Sequence, residues 1–448
     1  VVARRLALLA ASVLVALTAG CSDDVPALRV VLISLDTLRY DRFSGAHAAM
    51  PELARAAAEG AVFSRNYTAT SSTQPTHASM LTGLHPWQHG VSRNGLVLAE
   101  DALTVTEHLA AAGFSTAAAV SSFPMESRFG LAQGFDTYLD EFTHGRPEKK
   151  TWSEHDPDWN RFYSRADTVA RDAVALIDAA TAQRQFFFFH FFDAHSPYGD
   201  SLLGEQIFET RDLTTVAKRS NAELPAILAR AQAAYDLDVG FMDRQLGLLL
   251  ERLARDAGQV ETHVIITADH GESFGDDGSF GHGDRVSEPQ LHVPLVILSP
   301  RMSASVRDDA AGSIDIARTL LSLAGLDPEL VSGGRDLSLP PTGAAAPTVG
   351  MRRSYAEPAK DVRTTGVTVE LVGQRFFLLR DEGLVVGDGS ALVYSESSAG
   401  PGSSLTPRQA DALRRLFASF EAALLNTSAD EHLDAETQAA LDALGYTR

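Results

Sequence analysis

Three apolar runs in this chain have no polar alternation, and each stops at an aspartate. Arg29–Leu35 (RVVLISL) runs into Asp36, Phe186–Phe192 (FFFFHFF) into Asp193, and His263–Ala268 (HVIITA) into Asp269. A strand with one wet face alternates apolar and polar residues. A continuous apolar run is buried on both faces, as in a parallel sheet covered by helices. The segments between fit that picture. Thr104-x-x-Glu107 is a capping box that opens a helix, and Gly113 closes it. Phe114–Val120 and Val293–Leu298, the latter closed by Pro300, read as further strands. Ala166–Ala180, Leu228–Arg255 and Ile314–Leu326 carry helical spacing. Strands alternating with helices predict an α/β fold with a largely parallel sheet.

The texture changes after Pro340. Short runs at Val367–Leu371, Phe376–Leu379 and Leu384–Val386 read as antiparallel strands, and helices are expected from Arg408 and from Ala435. This predicts a main domain over 21–345 and a smaller C-terminal α+β subdomain over 346–448. Residues 1–20 read as a leader. Arg4 and Arg5 precede an apolar stretch, Leu6–Ala19, too short to span a bilayer. Leu17-Thr18-Ala19-Gly20-Cys21 resembles a bacterial lipoprotein cleavage box, with Thr18 where a larger aliphatic residue is usual. Cys21 is the single cysteine, so no internal disulfide and no cysteine-based zinc site can form. The expectation is a membrane-anchored lipoprotein of the bacterial cell envelope, held by lipid on Cys21; the alternative is a secreted protein. With 58 acidic against 38 basic residues the formal charge is −20. That excludes general nucleic-acid binding, which needs a basic excess.

The strand ends are where chemistry can collect, because ligands in open α/β sheets bind beyond the carboxyl ends of the strands. Asp36, Asp193-Ala194-His195 and Asp269-His270 all fall there. Aspartate with histidine suits zinc or manganese, and calcium where oxygen ligands predominate. His190, inside the phenylalanine run, reads as a core residue. Gly271-Glu272-Ser273-Phe274-Gly275 matches the serine-hydrolase elbow in letters only, because the strand does not run directly into it and no helix follows. In Thr73-Gln74-Pro75-Thr76-His77-Ala78-Ser79-Met80-Leu81-Thr82-Gly83, a hydroxyl opens a short helical stretch. A helix start presents unpaired N–H groups to an anion.

Together these motifs, with Gly281-His282-Gly283, His292-Val293-Pro294-Leu295 and the closing Leu441–Tyr446 segment, resemble the sulfatase family of the alkaline phosphatase superfamily. The resemblance spans about 28–330. It implies an alkaline phosphatase/sulfatase-like sandwich and hydrolysis of phosphoric or sulfuric esters with the help of a metal. Departures narrow it. Sulfatases place at Thr73 a cysteine or serine that is oxidised to formylglycine, and a threonine cannot give that aldehyde. His77 stands for an arginine, Thr37 for a second metal-binding aspartate, and His270 for an asparagine in several members.

A threonine nucleophile is similar instead to the phosphodiesterase and phosphoglycerol-transferase branches. The resemblance then implies one divalent ion (Zn, Mn or Ca) on Asp36, Thr73, Asp269 and His270, with a second metal left open. Thr73 is the nucleophile, and His77, Asn94 and His195 donate to the substrate's other oxygens. His282 is the general acid or a ligand of the second metal. The expected substrate is a phosphate mono- or diester of a small molecule, glycan or lipid. The alternatives are a sulfuric ester hydrolase, a phospho-group transferase acting on envelope acceptors, and a non-catalytic binding homologue.

Overall fold

The computed structural model describes residues 27–142, 163–199, 222–283 and 287–340, positions Leu213 and Ala217, and the backbone of three strands between 348 and 379. The leader with Cys21, the run Leu384–Val386, the expected helices from Arg408 and Ala435 and the Leu441–Tyr446 segment lie outside the described residues.

The chain begins with strand β1 (Ala27–Leu35), helix α1 (Pro51–Ala57), β2 (Ala61–Phe63), β3 (Asn66–Tyr67) and helix α2 (Thr73–Thr82). Helix α3 (Val105–Ala111), β4 (Ser115–Ala119), β5 (Thr137–Leu139), helix α4 (Ala166–Ala179) and β6 (Arg184–Phe191) follow. Then come helix α5 (Leu224–Ala254), β7 (Val260–Thr267), β8 (Ser273–Phe274), β9 (Phe280–Gly281), β10 (Leu295–Leu298), β11 (Ser305–Arg307), β12 (Ala311–Gly312) and helix α6 (Asp315–Leu323).

Eight strands form the main sheet in the order β11-β2-β10-β7-β1-β6-β4-β5. Strands β7, β1, β6, β4 and β5 are mutually parallel, and β10 alone runs against the rest. The two faces bury alternate residues of the same apolar runs. Val30, Leu32, Phe186, Phe188 and Ile265 pack with α2, α3 and α6. Val31, Ile33, Phe187, Phe189, Phe191 and Ile266 pack with α1, α4 and α5. The result is three layers, as the unalternated runs predict. Each fully buried Val, Leu, Ile or Phe contributes roughly 1.5–3 kcal/mol.

Some bounds differ from the sequence reading for local reasons. Helix α5 starts at Leu224, because Pro225 sits in its first turn, where a missing N–H does no harm. Strand β7 reaches back to Val260, where Glu261 and Thr262 pair with Leu28 and Arg29 despite their polarity. The capping box of α3 forms as read: the Glu107 carboxylate accepts from Thr104 N at 2.8 Å and Thr104 Oγ1 from Glu107 N at 3.2 Å. Beyond the sandwich, Thr348–Arg353, Thr364–Leu371 and Gln374–Leu379 make a three-stranded antiparallel sheet. Its first strand is absent from the sequence reading.

Candidate active site

Every residue of α2 is buried, an unusual place for a helix that opens with four polar residues and a proline. Its start is fixed by long-range bonds. Asn94 Oδ1 accepts from Gln74 N at 2.9 Å, satisfying one of the orphan first-turn donors. Its end is fixed by Gly83, left-handed at φ 69° and packed so closely on Val331 that a Cβ would collide. Thr73 is thereby held as the first helical residue at the sheet's carboxyl edge.

The parallel register supplies the floor. Ser34 pairs with His190 on one side and Thr267 on the other. Two-residue periodicity puts these three polar side chains on the same face as Leu32, Phe188 and Ile265, toward α2. Asp36 follows the end of β1, and Asp269-His270 the end of β7. Both aspartates and His270 are fully buried.

Thr73 Oγ1 lies 3.4 Å from His270 Nε2, and that nitrogen lies 3.4 Å from Asp269 Oδ2 and 4.0 Å from Asp36 Oδ1. His270 Nδ1 is 3.0 Å from the Gly271 carbonyl, which can only accept. The ring proton therefore sits on Nδ1, leaving the Nε2 lone pair for the cluster. Gly271 is required here because a Cβ would collide with the Pro289 carbonyl.

Thr37 joins the two carboxylates. Its hydroxyl donates to Asp36 Oδ1 at 2.5 Å and its N–H to Asp269 Oδ1 at 3.1 Å. Its backbone is left-handed, φ 60°, which is strained for a β-branched residue. Those two bonds, with Tyr235 donating to its carbonyl at 2.8 Å, hold it there.

The electrostatics call for a cation. Burial pushes the Asp36 carboxyl up to about 6. Burial and then the neighbouring Asp36 raise Asp269. Burial pushes the His270 ring down, but Asp269 and Asp36 outweigh it and hold the ring above its ordinary value. Asp269 Oδ2 is buried with no hydrogen-bond partner among the described residues, the kind of orphaned acceptor a metal ion satisfies. Asp36, Asp269 and His270 bring ligating atoms within 4.8 Å of one another, so the donor set fits a divalent ion, with Thr73 Oγ1 beside it.

A second group, His77, His190 and Asp269, is as compact. Its ring protons, however, point at protein acceptors. His77 Nδ1 donates to the Thr73 carbonyl at 2.7 Å, and its Nε2 takes the Ser34 hydroxyl at 2.8 Å. His190 Nδ1 faces the N–H and hydroxyl of Ser121 at 3.4 and 3.1 Å, so its Nε2 proton goes to Asp36 Oδ2, 3.1 Å away. Burial holds both rings down, to about 3 for His77 and about 4 for His190. These two histidines brace Thr73 and Asp36.

The expected residues are therefore placed unevenly. Asp36, Thr73, Asp269 and His270 converge. His77 is beside them, with Nδ1 on the Thr73 carbonyl and Nε2 on the Ser34 hydroxyl. Asn94 caps α2 through Oδ1, and its Nδ2 is buried without a partner among the described residues. The His282 ring lies 4.1 Å from the His270 ring and 4.9 Å from His195, which stacks on Phe192 at 4.3 Å. His282 Nδ1 donates to Glu272 Oε1 at 3.2 Å, and Tyr198 donates to Oε2 at 2.6 Å. Burial and then His270 hold His282 well below the ordinary imidazole value.

Three site residues escape the sequence reading, which assigns no role to Ser34 or Glu272 and places His190 in the core. His190 is buried, but it meets Asp36 rather than apolar side chains alone. Asp193, at the end of the same strand, belongs to neither cluster. The Ser273 hydroxyl meets Asp277 Oδ1 at 2.5 Å and the Ser279 carbonyl at 3.1 Å, with no histidine partner among the described residues. That agrees with its dismissal as a nucleophile.

The profile of the Sulfatase family matches residues 29–326. An ulvan-active sulfatase of Formosa agariphila is 25% identical over 306 residues, covering 62% of this chain and 56% of its own. An uncharacterized sulfatase of Escherichia coli, YidJ, is 24% identical over 324 residues, covering 63% and 64%. The chain thus spans between a half and two thirds of the length of these curated relatives. The phosphonate monoester hydrolase structure from Silicibacter pomeroyi shares the fold at a TM-score of 0.60 and 18% identity, covering 90% of this chain and 96% of that one. The profile match, which covers about two thirds of the chain, leads to one conclusion: the chain belongs to the sulfatase family.

Proposed function

We propose that this protein hydrolyses phosphate mono- or diesters with Thr73 as nucleophile. One observation carries the reading: a buried threonine hydroxyl at the first position of α2, 3.4 Å from His270 Nε2 and beside two buried carboxylates. Asp36, Asp269, His270 and Thr73 Oγ1 would hold one divalent ion. Their mix of carboxylate, imidazole and hydroxyl favours zinc or manganese over calcium. When bound, that ion supplies a Lewis acid that lowers the pKa of the Thr73 hydroxyl and draws charge from a phosphoryl oxygen.

The remaining steps belong to side chains. Thr73 gives its proton to water, and its oxygen forms the bond to phosphorus as the bond to the leaving alkoxide breaks. The positive end of α2 faces the extra charge on the phosphoryl oxygens. Asn94 Nδ2 donates to those oxygens, and the neutral His195, whose Nδ1–H goes to the Ser196 carbonyl, stands beside His282. His282, oriented by Glu272 through its Nδ1–H, takes the Thr73 proton from that water on Nε2 and passes it to the leaving alkoxide. Water then attacks the phospho-threonine, restoring Thr73 and releasing phosphate. The substrates in view are small-molecule, glycan or lipid esters. The leader sequence supports placement at the bacterial envelope through lipid on Cys21.

Sulfate-ester hydrolysis is the rival reading, favoured by the family profile and the names of the relatives. It requires a route other than an aldehyde hydrate, which a threonine side chain cannot form. Aryl phosphate monoesters, phosphate diesters, phosphonates and sulfates, assayed in parallel with manganese or zinc, test the choice. The proposal expects phosphate esters to be turned over well above sulfate esters. Faster turnover of a sulfate ester by protein with an unmodified Thr73 defeats it.

A further inference from the structure

We propose that His190 is a positioning residue for the metal site: its Nε2–H holds Asp36 in the orientation that ligates the ion. The inference rests on the reading of Asp36 as a ligand. Asp36 carries two outer donors, one per oxygen. Thr37 Oγ1 binds Oδ1, and His190 Nε2 binds Oδ2 at 3.1 Å. A carboxylate oxygen has two lone pairs, so each keeps one for the ion while its direction is fixed.

His190 is itself held. It sits within β6, opposite Ser34 in the ladder, so its Cα position is set by the parallel register. The backbone N–H of Ser121, just beyond β4, lies 3.4 Å from Nδ1, and the Ser121 hydroxyl lies 3.1 Å from it. A backbone N–H can only donate, so Nδ1 is an acceptor and the proton is fixed on Nε2, facing Asp36. The ring of His77 packs edge-on at 4.9 Å and blocks rotation. A fully buried histidine in a run of phenylalanines has no packing reason to be polar, because a leucine would fill the same layer. The polar partners are what its imidazole is for. Outer groups of this kind orient metal-ligating side chains and typically contribute 10–100-fold in metal affinity.

The test is a calorimetric titration of metal-free protein with manganese or zinc, alongside the apo melting temperature. His190→Leu removes the donor and keeps the bulk. His190→Gln keeps an N–H near the position of Nε2. The expected result is a 10–100-fold weaker ion affinity for His190→Leu, a substantially smaller loss for His190→Gln, and an apo melting temperature for His190→Leu at or above wild type. Should His190→Leu fail to fold, Ser121→Ala takes its place, with a few-fold loss expected from a loosened ring. Wild-type affinity in the replacement, or equal losses in the leucine and glutamine variants, overturns the inference. Asp36→Asn separates the two claims. If it abolishes binding while His190→Leu has no effect, only the role of His190 fails. If it leaves binding intact, the ligand assignment fails.

Discussion

Thr37 donates to both buried carboxylates at once, its hydroxyl to Asp36 at 2.5 Å and its N–H to Asp269 at 3.1 Å. Burial in a dry site raises the pKa of both carboxyls, and at Asp269 repulsion by the charge of Asp36 raises it further. The arrangement makes sense as one half of an ion complex.

The first prediction follows from that repulsion. Asp269→Asn keeps the Oδ1 bonds from Thr37 and His270 and removes one charge. The metal-free variant should melt at or above metal-free wild type. Added manganese or zinc should raise the wild-type melting point, by an amount worth about 2.7 kcal/mol at 100 times Kd, and leave the variant unmoved. Activity and bound metal should both fall to near zero. A variant that still binds metal with wild-type affinity contradicts the ligand set.

Ser273 provides a control. Its hydroxyl bonds Asp277, which also accepts from Ser279 and Ser287. Ser273→Ala should cost about 1 kcal/mol in urea denaturation, the worth of one such bond, and retain most of the esterase activity. Loss of turnover in a folded Ser273→Ala protein would restore the serine-hydrolase reading.

Acid stability should depend on His89. It is buried, accepts from Val91 N at 3.1 Å and lies 3.0 Å from Ser79 Oγ, and burial holds it down to about 3. The unfolded chain takes a proton near pH 6.5, and the folded protein does not until about 3. The stabilisation from a neutral His89 is therefore complete above 6.5 and is lost as pH falls toward 3, at about 1.4 kcal/mol per unit. Denaturation of metal-free protein between pH 7.5 and 5 should show a shallower acid decline for His89→Gln than for wild type. Identical slopes would sink the assignment.

The strand-end aspartates were legible because an apolar run that stops abruptly at a charge marks the carboxyl edge of a sheet covered on both faces. The three layers were legible for the same reason. His190 was not, because a run apolar on both faces carries no phase. Which face a residue takes is decided by the register that sets Ser34 opposite His190, far away in the chain. Asn94 was half legible. The Asn-Gly pair signals a turn, but its bond to Gln74 depends on how that turn folds onto α2. Strands β2, β5 and β11, three residues each, are too short for periodicity to register.

The leader gives a prediction of its own. Cys21→Ala should release the protein from the membrane fraction in a soluble form, read by fractionation of expressing cells. A variant as membrane-bound as the wild type removes the anchor proposal.

The most direct measurement is to quench the enzyme in acid during turnover of an aryl phosphate ester and map covalent phosphate by peptide mass spectrometry. The account predicts phosphate on Thr73, lost in Thr73→Ala together with nearly all activity, and present again with partial activity in Thr73→Ser. Phosphate on another residue, or a folded Thr73→Ala protein that turns over at the wild-type rate, would contradict it.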